Sequence, residues 1–200
     1  VRKPKLFLMD EPFSNLDPVL RGKLRTELKR IHSKTGTTFI YVTHDQMEAF
    51  ALGDRIVVME HGQIRQVGTP QELFNHPANL YTASFVGTPP MNLFRDVALK
   101  QGSDGWYVTL FDNKYLLPPA KAAGLTAADQ GRKVTLGIRP VHITLGDQGI
   151  EATVEHSDVV EAEMHIQLRV GQQEMLAIVP ATNFGTFLRG RKVHFQLSPQ

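Results

Sequence analysis

The chain has 200 residues, of which 42% are hydrophobic and 21% are charged, a composition ordinary for a soluble globular protein. A net charge of +2 is too small to indicate a nucleic-acid or anionic-membrane partner by itself. The sequence contains no cysteine, which excludes disulfides and thiolate metal sites, and it has no apolar run of the roughly 18 residues that a membrane span needs.

The first predicted element is the apolar run Leu6 to Met9 in the stretch LFLMDEP. A continuous run of this kind predicts a strand buried on both faces, as in the middle of a parallel sheet. Asp10 and Glu11 then lie at its carboxyl end, where open α/β sheets place their ligands, and Pro12 ends the strand. Such a strand needs neighbours and covering helices, and few residues precede it, so we expect the chain to begin inside a domain.

A helix and a second strand follow. Asp17 is a predicted N-cap with Pro18 in the first helical turn, and Gly36 follows the predicted end. The basic residues between Arg21 and Arg30 are interpreted as a solvated face. TTFIYVTHD predicts a second buried strand, Thr38 to Val42, which is followed by Thr43, His44 and Asp45. Four apolar residues recur at helical spacing on the helix: Leu20, Leu24, Leu28 and Ile31.

The next segments complete an α/β region. QMEAFAL predicts a short helix, DRIVVMEHGQIRQVG predicts a hairpin that turns at His61 and Gly62, and TPQELFNHP and ANLYTASFVG predict two helices. Strand, helix, strand in this order indicates an α/β sheet.

The pattern changes at GTPPMN, residues 87–92. Short β-type runs separated by turn residues indicate a small all-β barrel or sandwich. We therefore predict an α/β domain in residues 1–90 and an all-β domain in residues 91–200. The predicted strands are NLFRDVALK, GWYVTLF, KYLLP, KVTLGIRP, IEATVEHSDVV, AEMHIQLRV, QEMLAIVP and KVHFQL.

Three polar side chains at the strand ends suggest nucleotide chemistry. Asp10 suits Mg²⁺, a hard cation that takes one or two carboxylates and keeps several waters. Glu11 could polarise a water molecule, and His44 could contact a γ-phosphate. Taken singly, the carboxylates also fit a polar turn and the histidine a structural role, so it is their combination and order that favour a site.

Four segments, in chain order, carry a resemblance to a known family: LFLMDEP, SNLD, YVTHDQMEA and DRIVVMEHGQIRQVGTPQEL. They resemble the second half of an ABC-transporter ATP-binding subunit, which is a P-loop NTPase-like α/β domain. The resemblance is strongest to subunits of the carbohydrate and glycerol-phosphate importer type. The resemblance implies that Asp10 is the Walker B aspartate, holding Mg²⁺ through water. It implies that Glu11 is the catalytic carboxylate and His44 the switch histidine, both at the nucleotide. The resemblance also assigns the D-loop, at the interface of two ATPase subunits, to Ser14, Asn15, Leu16 and Asp17.

The all-β part is also similar to this family. HPANLYTASFVGTPPMN resembles the junction that follows the ATPase domain, and GIRPVHI resembles an element of the OB-like, TOBE-type regulatory domain. On that resemblance Gly137, Arg139 and Pro140 contribute to regulation and subunit association, although a structural role in a turn is favoured over ligand contact. Val141 stands where the family usually has Glu.

The resemblance implies ATP and Mg²⁺ as cofactors, and a homodimer of ATPase subunits that is cytoplasmic and peripheral on the inner face of the cell membrane. The implied partners are two membrane-spanning permease subunits, a solute-binding protein and a possible cytoplasmic regulator, but no nucleic acid. The chain contains neither the Gly-x-x-x-x-Gly-Lys-Ser/Thr phosphate loop nor the Leu-Ser-Gly-Gly-Gln signature. We therefore expect this chain alone neither to bind ATP tightly nor to hydrolyse it.

Two alternatives remain open. The chain could act as a stand-alone regulatory or dimerisation module without nucleotide binding. The OB-like strands could instead bind oligonucleotides, but the near-neutral charge and the lack of interleaved basic and aromatic residues disfavour this. The transported solute is not defined by the sequence, although the GTPPMN junction favours carbohydrate-like cargo.

Overall fold

A computed structural model describes residues 4–181 and 187–198. The chain divides into two compact units, Val1–Thr88 and Pro89–Gln200. We refer to them as unit 1 and unit 2.

Unit 1 opens with a strand, a helix and a second strand: β1 (Leu6–Asp10), α1 (Pro18–Thr35) and β2 (Thr38–Val42). The two strands pair in parallel and in register along their whole length. Asp17 caps α1 by accepting hydrogen bonds from two backbone amides, and Gly36 ends the helix with a left-handed backbone. The predicted caps and the predicted second strand are therefore confirmed.

The rest of unit 1 also follows the predicted elements. The hairpin turns at His61 and Gly62, which both have positive φ angles, as a two-residue type I′ turn requires. A small core of Val58, Leu73 and Val86 joins the hairpin to the helices that follow it. The elements are helix α2 (Gln46–Leu52), strands β3 (Ile56–Glu60) and β4 (Gln63–Gly68), and helices α3 (Pro70–Asn75) and α4 (Leu80–Phe85).

The prediction that β1 and β2 are buried on both faces is wrong for this chain. Leu8 is 71% exposed, and Ile40 and Val42 are each 47% exposed. The physical reason is that the sheet has only two strands and that α1, its connecting helix, contains no buried residue. The apolar run correctly predicts a strand, but its burial depends on packing that two strands and one helix do not supply.

Unit 2 is an antiparallel β structure. One sheet has four strands in the order β7-β6-β5-β8, and the other has five in the order β12-β11-β10-β13-β9. Between β7 and β8 lie a single helical turn, α5 (Pro119–Ala122), and a short 3₁₀ helix. The strands are β5 (Asn92–Gly102), β6 (Gly105–Leu110), β7 (Asn113–Leu116), β8 (Lys133–Ile138), β9 (Ile143–Gly146), β10 (Ile150–Val160), β11 (Glu163–Val170), β12 (Gln173–Pro180) and β13 (Lys192–Leu197).

The two sheets of unit 2 share one hydrophobic core. Leu99 and Val108 from the four-stranded sheet lie in the same buried cluster as Val154, Ile166 and Phe195 from the five-stranded sheet. All eight strands predicted for this part of the chain are present. Strand β9 was not predicted, because the sequence suggested one continuous run through residues 133–140 and gave no separate strand after it.

Asn92, the first residue of β5, links the two sheets through its side-chain amide. Its Oδ1 accepts a hydrogen bond of 2.7 Å from the amide of Leu176 in β12. Its Nδ2 donates to the carbonyl of the same residue at 2.9 Å and to the carbonyl of Ile138 in β8 at 3.2 Å. The amide thus satisfies backbone hydrogen-bonding groups on strands of both sheets, as a neighbouring strand does within a continuous sheet.

Candidate functional site

The carboxyl ends of β1 and β2 bring the predicted nucleotide-site residues together. Asp10 is the last residue of β1, and the Glu11 amide continues the ladder by donating to the Val42 carbonyl at 2.8 Å. Glu11 has a φ angle of 43°, in the left-handed region that non-glycine residues rarely adopt. The chain turns there, and the Glu11 carboxylate lies 3.0 Å from Nδ1 of His44.

The contact between Glu11 and His44 favours a protonated imidazole. The hydrogen bond to Glu11, followed by the negative charge of the same carboxylate, raises the pKa of His44 above its ordinary value. Both side chains are exposed, at 74% for His44 and 42% for Glu11, so solvent screens the interaction. A charged His44 can donate to Glu11 from Nδ1 and still offer a second donor at Nε2.

Residues 14 to 17, the predicted D-loop, form the turn that connects β1 to α1. Ser14 donates from its hydroxyl to the Glu11 carbonyl at 3.0 Å, so this turn is hydrogen-bonded to the backbone of Glu11, the predicted catalytic carboxylate. Asn15 is exposed, and the Leu16 carbonyl accepts from Arg21 at 3.2 Å. The Asp17 carboxylate accepts from the amides at the start of α1 and therefore has a structural role as the N-cap.

A group of polar side chains is centred on Arg21 and Glu48 next to the segment that carries His44. We call this group the Arg21 network, and its members are Arg21, Tyr41, Thr43, Asp45 and Glu48. Arg21 Nη1 donates to Asp45 at 3.2 Å, and Arg21 Nε lies 3.6 Å from the carboxylate of Glu48, whose side chain is only 4% exposed. Tyr41 and Thr43 donate to the same carboxylate at 2.7 Å and 3.0 Å. Burial, and then the hydrogen bond to Glu48, raise the pKa of Tyr41. Two of these five residues, Thr43 and Asp45, are the sequence neighbours of His44.

The Arg21 network is absent from the sequence-based interpretation. The prediction that Arg21 lies on a solvated basic face is wrong, because its guanidinium donates to Asp45 and to the Leu16 carbonyl. The sequence gives one signal: Glu48 lies between Met47 and Ala49 near the start of a short helix, where a carboxylate needs a partner if it is buried. The identity of that partner depends on the crossing of α1 and α2.

The residues predicted for the regulatory element lie around the end of β8. Gly137 is within the strand, where an added Cβ would lie 2.2 Å from Sδ of Met91. Arg139 is the N-cap residue of a short 3₁₀ helix that begins at Pro140; both residues are buried, and burial lowers the pKa of the Arg139 guanidinium. Val141 is 52% exposed. Packing therefore accounts for the glycine at position 137 and the proline at position 140.

The donor set at the strand ends fits one side of a Mg²⁺-nucleotide site. Asp10 is exposed and offers carboxylate oxygen, the ligand type that Mg²⁺ prefers, and a single carboxylate suffices when waters and phosphates complete the shell. Among residues 4–181 and 187–198 no cluster of three or more metal-ligating side chains occurs. In the same part of the chain no helix combines the length and hydropathy needed to cross a bilayer.

Residues 87–143 match the family described as the MalK OB fold domain. The chain is 40% identical to the multiple sugar-binding transport ATP-binding protein MsmK of Streptococcus mutans, over 92% of this chain and 53% of that protein. It is 43% identical to the sn-glycerol-3-phosphate import ATP-binding protein UgpC of Bordetella pertussis, over 86% of this chain and 46% of that protein.

A third relative is the sulfoquinovosyl glycerol transport ATP-binding protein SmoE of Agrobacterium fabrum, which is 40% identical over 90% of this chain and 50% of its own length. The chain therefore spans about half the length of the curated relatives it matches. By sequence the chain is similar to the ATP-binding subunits of sugar and glycerol-phosphate importers over most of its length, and residues 87–143 match the MalK OB fold domain.

Proposed function

We propose that this chain supplies the part of an importer ATPase that holds Mg²⁺ and activates water, joined to a regulatory β domain. The observation that carries the proposal is the 3.0 Å contact between Glu11 and His44 at the carboxyl ends of adjacent parallel strands. This is where α/β sheets place their ligands, and the ion pair puts a proton acceptor and a proton donor side by side.

Asp10 is the residue that would hold Mg²⁺, through water, as in a Walker B motif. When bound, the ion neutralises charge that develops on phosphate oxygens. Glu11 is placed to orient water and to accept its proton. His44 keeps Glu11 in position through Nδ1 and, when protonated, can donate from Nε2 to an anionic oxygen. Residues 14 to 17 connect Glu11 to α1, which suits a D-loop that senses a second ATPase subunit.

The proposed parent protein is a P-loop NTPase-like importer subunit, with an α/β portion in residues 1–90 and a TOBE-type OB domain in residues 91–200. It would bind ATP and act as a homodimer, peripheral on the cytoplasmic face of the membrane, with two permease subunits and a solute-binding protein. Relatives are named for the transport of multiple sugars and of sn-glycerol-3-phosphate, so we propose a carbohydrate-like solute. The sequence contains no phosphate loop, and we propose that the chain alone does not hydrolyse ATP.

The proposal can be tested by fusing the chain to the part of MsmK that it does not match, which restores a complete subunit. We expect the fusion to hydrolyse ATP, and we expect Glu11→Gln to abolish turnover while Mg-ATP binding, measured by calorimetry, persists. Glu27→Gln is the matched control, because Glu27 is a carboxylate on α1 whose side chain is 46% exposed and pairs with Arg30 of the same helix. Unchanged turnover in Glu11→Gln would refute the assignment.

The isolated chain provides a second test. We expect no calorimetric binding of Mg-ATP to the 200-residue chain. Micromolar binding that is lost in Asp10→Asn would show that the chain assembles a nucleotide site without a phosphate loop, contrary to the proposal.

A stand-alone regulatory module is the second candidate, and the separate hydrophobic core of unit 2 favours it. This candidate predicts a stable folded dimer of the 200-residue chain that Asp10→Asn and Glu11→Gln leave unchanged, measured by sedimentation equilibrium. A monomer at all accessible concentrations would exclude the dimerisation role.

A further inference from the structure

We propose that Arg21 is a positioning residue that connects the turn of residues 14 to 17 with the end of β2 and thereby fixes His44 against Glu11. The inference rests on the proposed function for its catalytic meaning, because it concerns the same pair of side chains. Its structural content, the control of the Glu11–His44 contact by Arg21, does not depend on any nucleotide.

The three nitrogens of the Arg21 guanidinium face three different groups. Nη2 donates to the Leu16 carbonyl in the turn that follows Glu11. Nη1 donates to Asp45, the residue after His44, and Nε faces the buried carboxylate of Glu48 at 3.6 Å. One side chain from α1 thus contacts both the segment after β1 and the segment after β2.

The segment that carries His44 is fixed on both sides by this arrangement. On one side, Thr43 donates to Glu48 and accepts from the Asp45 amide at 3.0 Å. On the other, Asp45 caps α2 by accepting from the amides of Met47 and Glu48. His44 itself is 74% exposed, so its own packing cannot hold it, and its orientation depends on its two neighbours in sequence.

A lysine could not replace Arg21 in this role. The guanidinium is a planar fork whose donors have fixed directions, whereas the lysine ammonium is a compact charge on a flexible stem. An ammonium at this position could pair with Asp45 or Glu48, but it could not also reach the Leu16 carbonyl with a preset geometry. The charge would remain and the connection between the two segments would be lost.

The test reads the neutral tautomer of His44 by long-range ¹H–¹⁵N NMR on the 200-residue chain, without nucleotide, at a pH well above the His44 pKa. Donation to Glu11 requires the proton on Nδ1, and the hydrogen bond made by a ring nitrogen sets the tautomer. We expect the wild-type chain to hold the Nδ1–H tautomer, and we expect Arg21→Gln and Arg21→Lys to shift the population toward Nε2–H. Lys23→Gln removes an exposed charge from the same helix and should leave the tautomer unchanged.

A second variant guards against loss of structure, because Arg21→Gln leaves the buried Glu48 carboxylate with less compensating charge. In Arg21→Met/Glu48→Gln no unpaired charge is buried, and the glutamine oxygen can still accept from Tyr41 and Thr43. We expect this double variant to fold and to show the same tautomer shift.

Three outcomes would overturn the inference: a wild-type tautomer in every folded Arg21 variant, a shift in Lys23→Gln as large as in Arg21→Gln, or an Nε2–H tautomer in the wild-type chain. Failure of the ATPase fusion would instead refute the proposed function and leave the tautomer result standing.

Discussion

The amide of Asn92 gives the most specific stability prediction. Asn92→Ala removes three hydrogen bonds, of 2.7, 2.9 and 3.2 Å, to backbone groups on two different strands. A net value of about 1 kcal/mol for each bond predicts a loss of about 3 kcal/mol. For a unit of about 100 residues this corresponds to a decrease in Tm on the order of 12 °C.

The single tryptophan supplies the assay. Trp106 lies in β6, is 7% exposed, and belongs to the core that both sheets of unit 2 share. Its fluorescence during urea unfolding therefore reports the unfolding of unit 2. We expect the urea midpoint of Asn92→Ala to decrease while the m-value stays the same, because the surface exposed on unfolding does not change.

The matched control is Asn113→Ala, the same substitution in the same unit. Asn113 donates a single exposed hydrogen bond of 2.8 Å to the carbonyl of Phe111, so its loss should cost less than about 1 kcal/mol. Equal midpoints for the two variants would refute the reasoning, because they would show that the three bonds of Asn92, two of which cross to the five-stranded sheet, do not stabilise unit 2.

Two further predictions concern a turn and the candidate site. Gly149→Ala should destabilise the chain by at least about 3 kcal/mol in urea unfolding, because the φ angle of Gly149 is 123° and an added Cβ would lie 2.2 Å from the Phe195 carbonyl oxygen. The control Gly146→Ala should change stability far less, because there is open space around Gly146. Equal losses of stability in the two variants would contradict the prediction. Glu11→Gln should lower the pKa of His44, measured by NMR titration, toward its ordinary value. Because the pKa of His44 is raised in the folded state, the stabilising contribution of the pair is complete below the unfolded pKa of about 6.5 and is lost as the pH rises through the folded pKa. An unchanged pKa of His44 in Glu11→Gln would exclude the contact.

Local chemistry allowed much of the secondary structure to be predicted. Asp17 and Gly36 define the ends of α1, and His61 with Gly62 defines a hairpin, because caps and tight turns depend on a few neighbouring residues. The order of apolar and turn residues also predicted the strands of unit 2. Strand β9 is the exception, since the predicted run ends at Pro140, and the four residues of β9 follow a 3₁₀ turn without a sequence pattern that indicates a separate strand.

The candidate site could be predicted only in part. Asp10, Glu11 and His44 follow two apolar strands, and parallel pairing of those strands is enough to bring their ends together. Arg21 could not be assigned in this way, because its position among basic residues on α1 resembles that of its solvated neighbours. Only the packing of α1 against α2 shows that it contacts Asp45 and Glu48.

The sequence by itself determined where the chain turns, caps and alternates, because these are properties of short segments. It also determined the order of the polar residues at the strand ends. The tertiary structure alone decided that β1 and β2 are exposed, that Arg21 contacts Asp45 next to His44, and that Asn92 joins two sheets. Each of these depends on groups that are distant in sequence, and Asn92 is separated from Leu176 by 84 positions. Burial and long-range pairing are properties of the whole fold, and no local pattern encodes them.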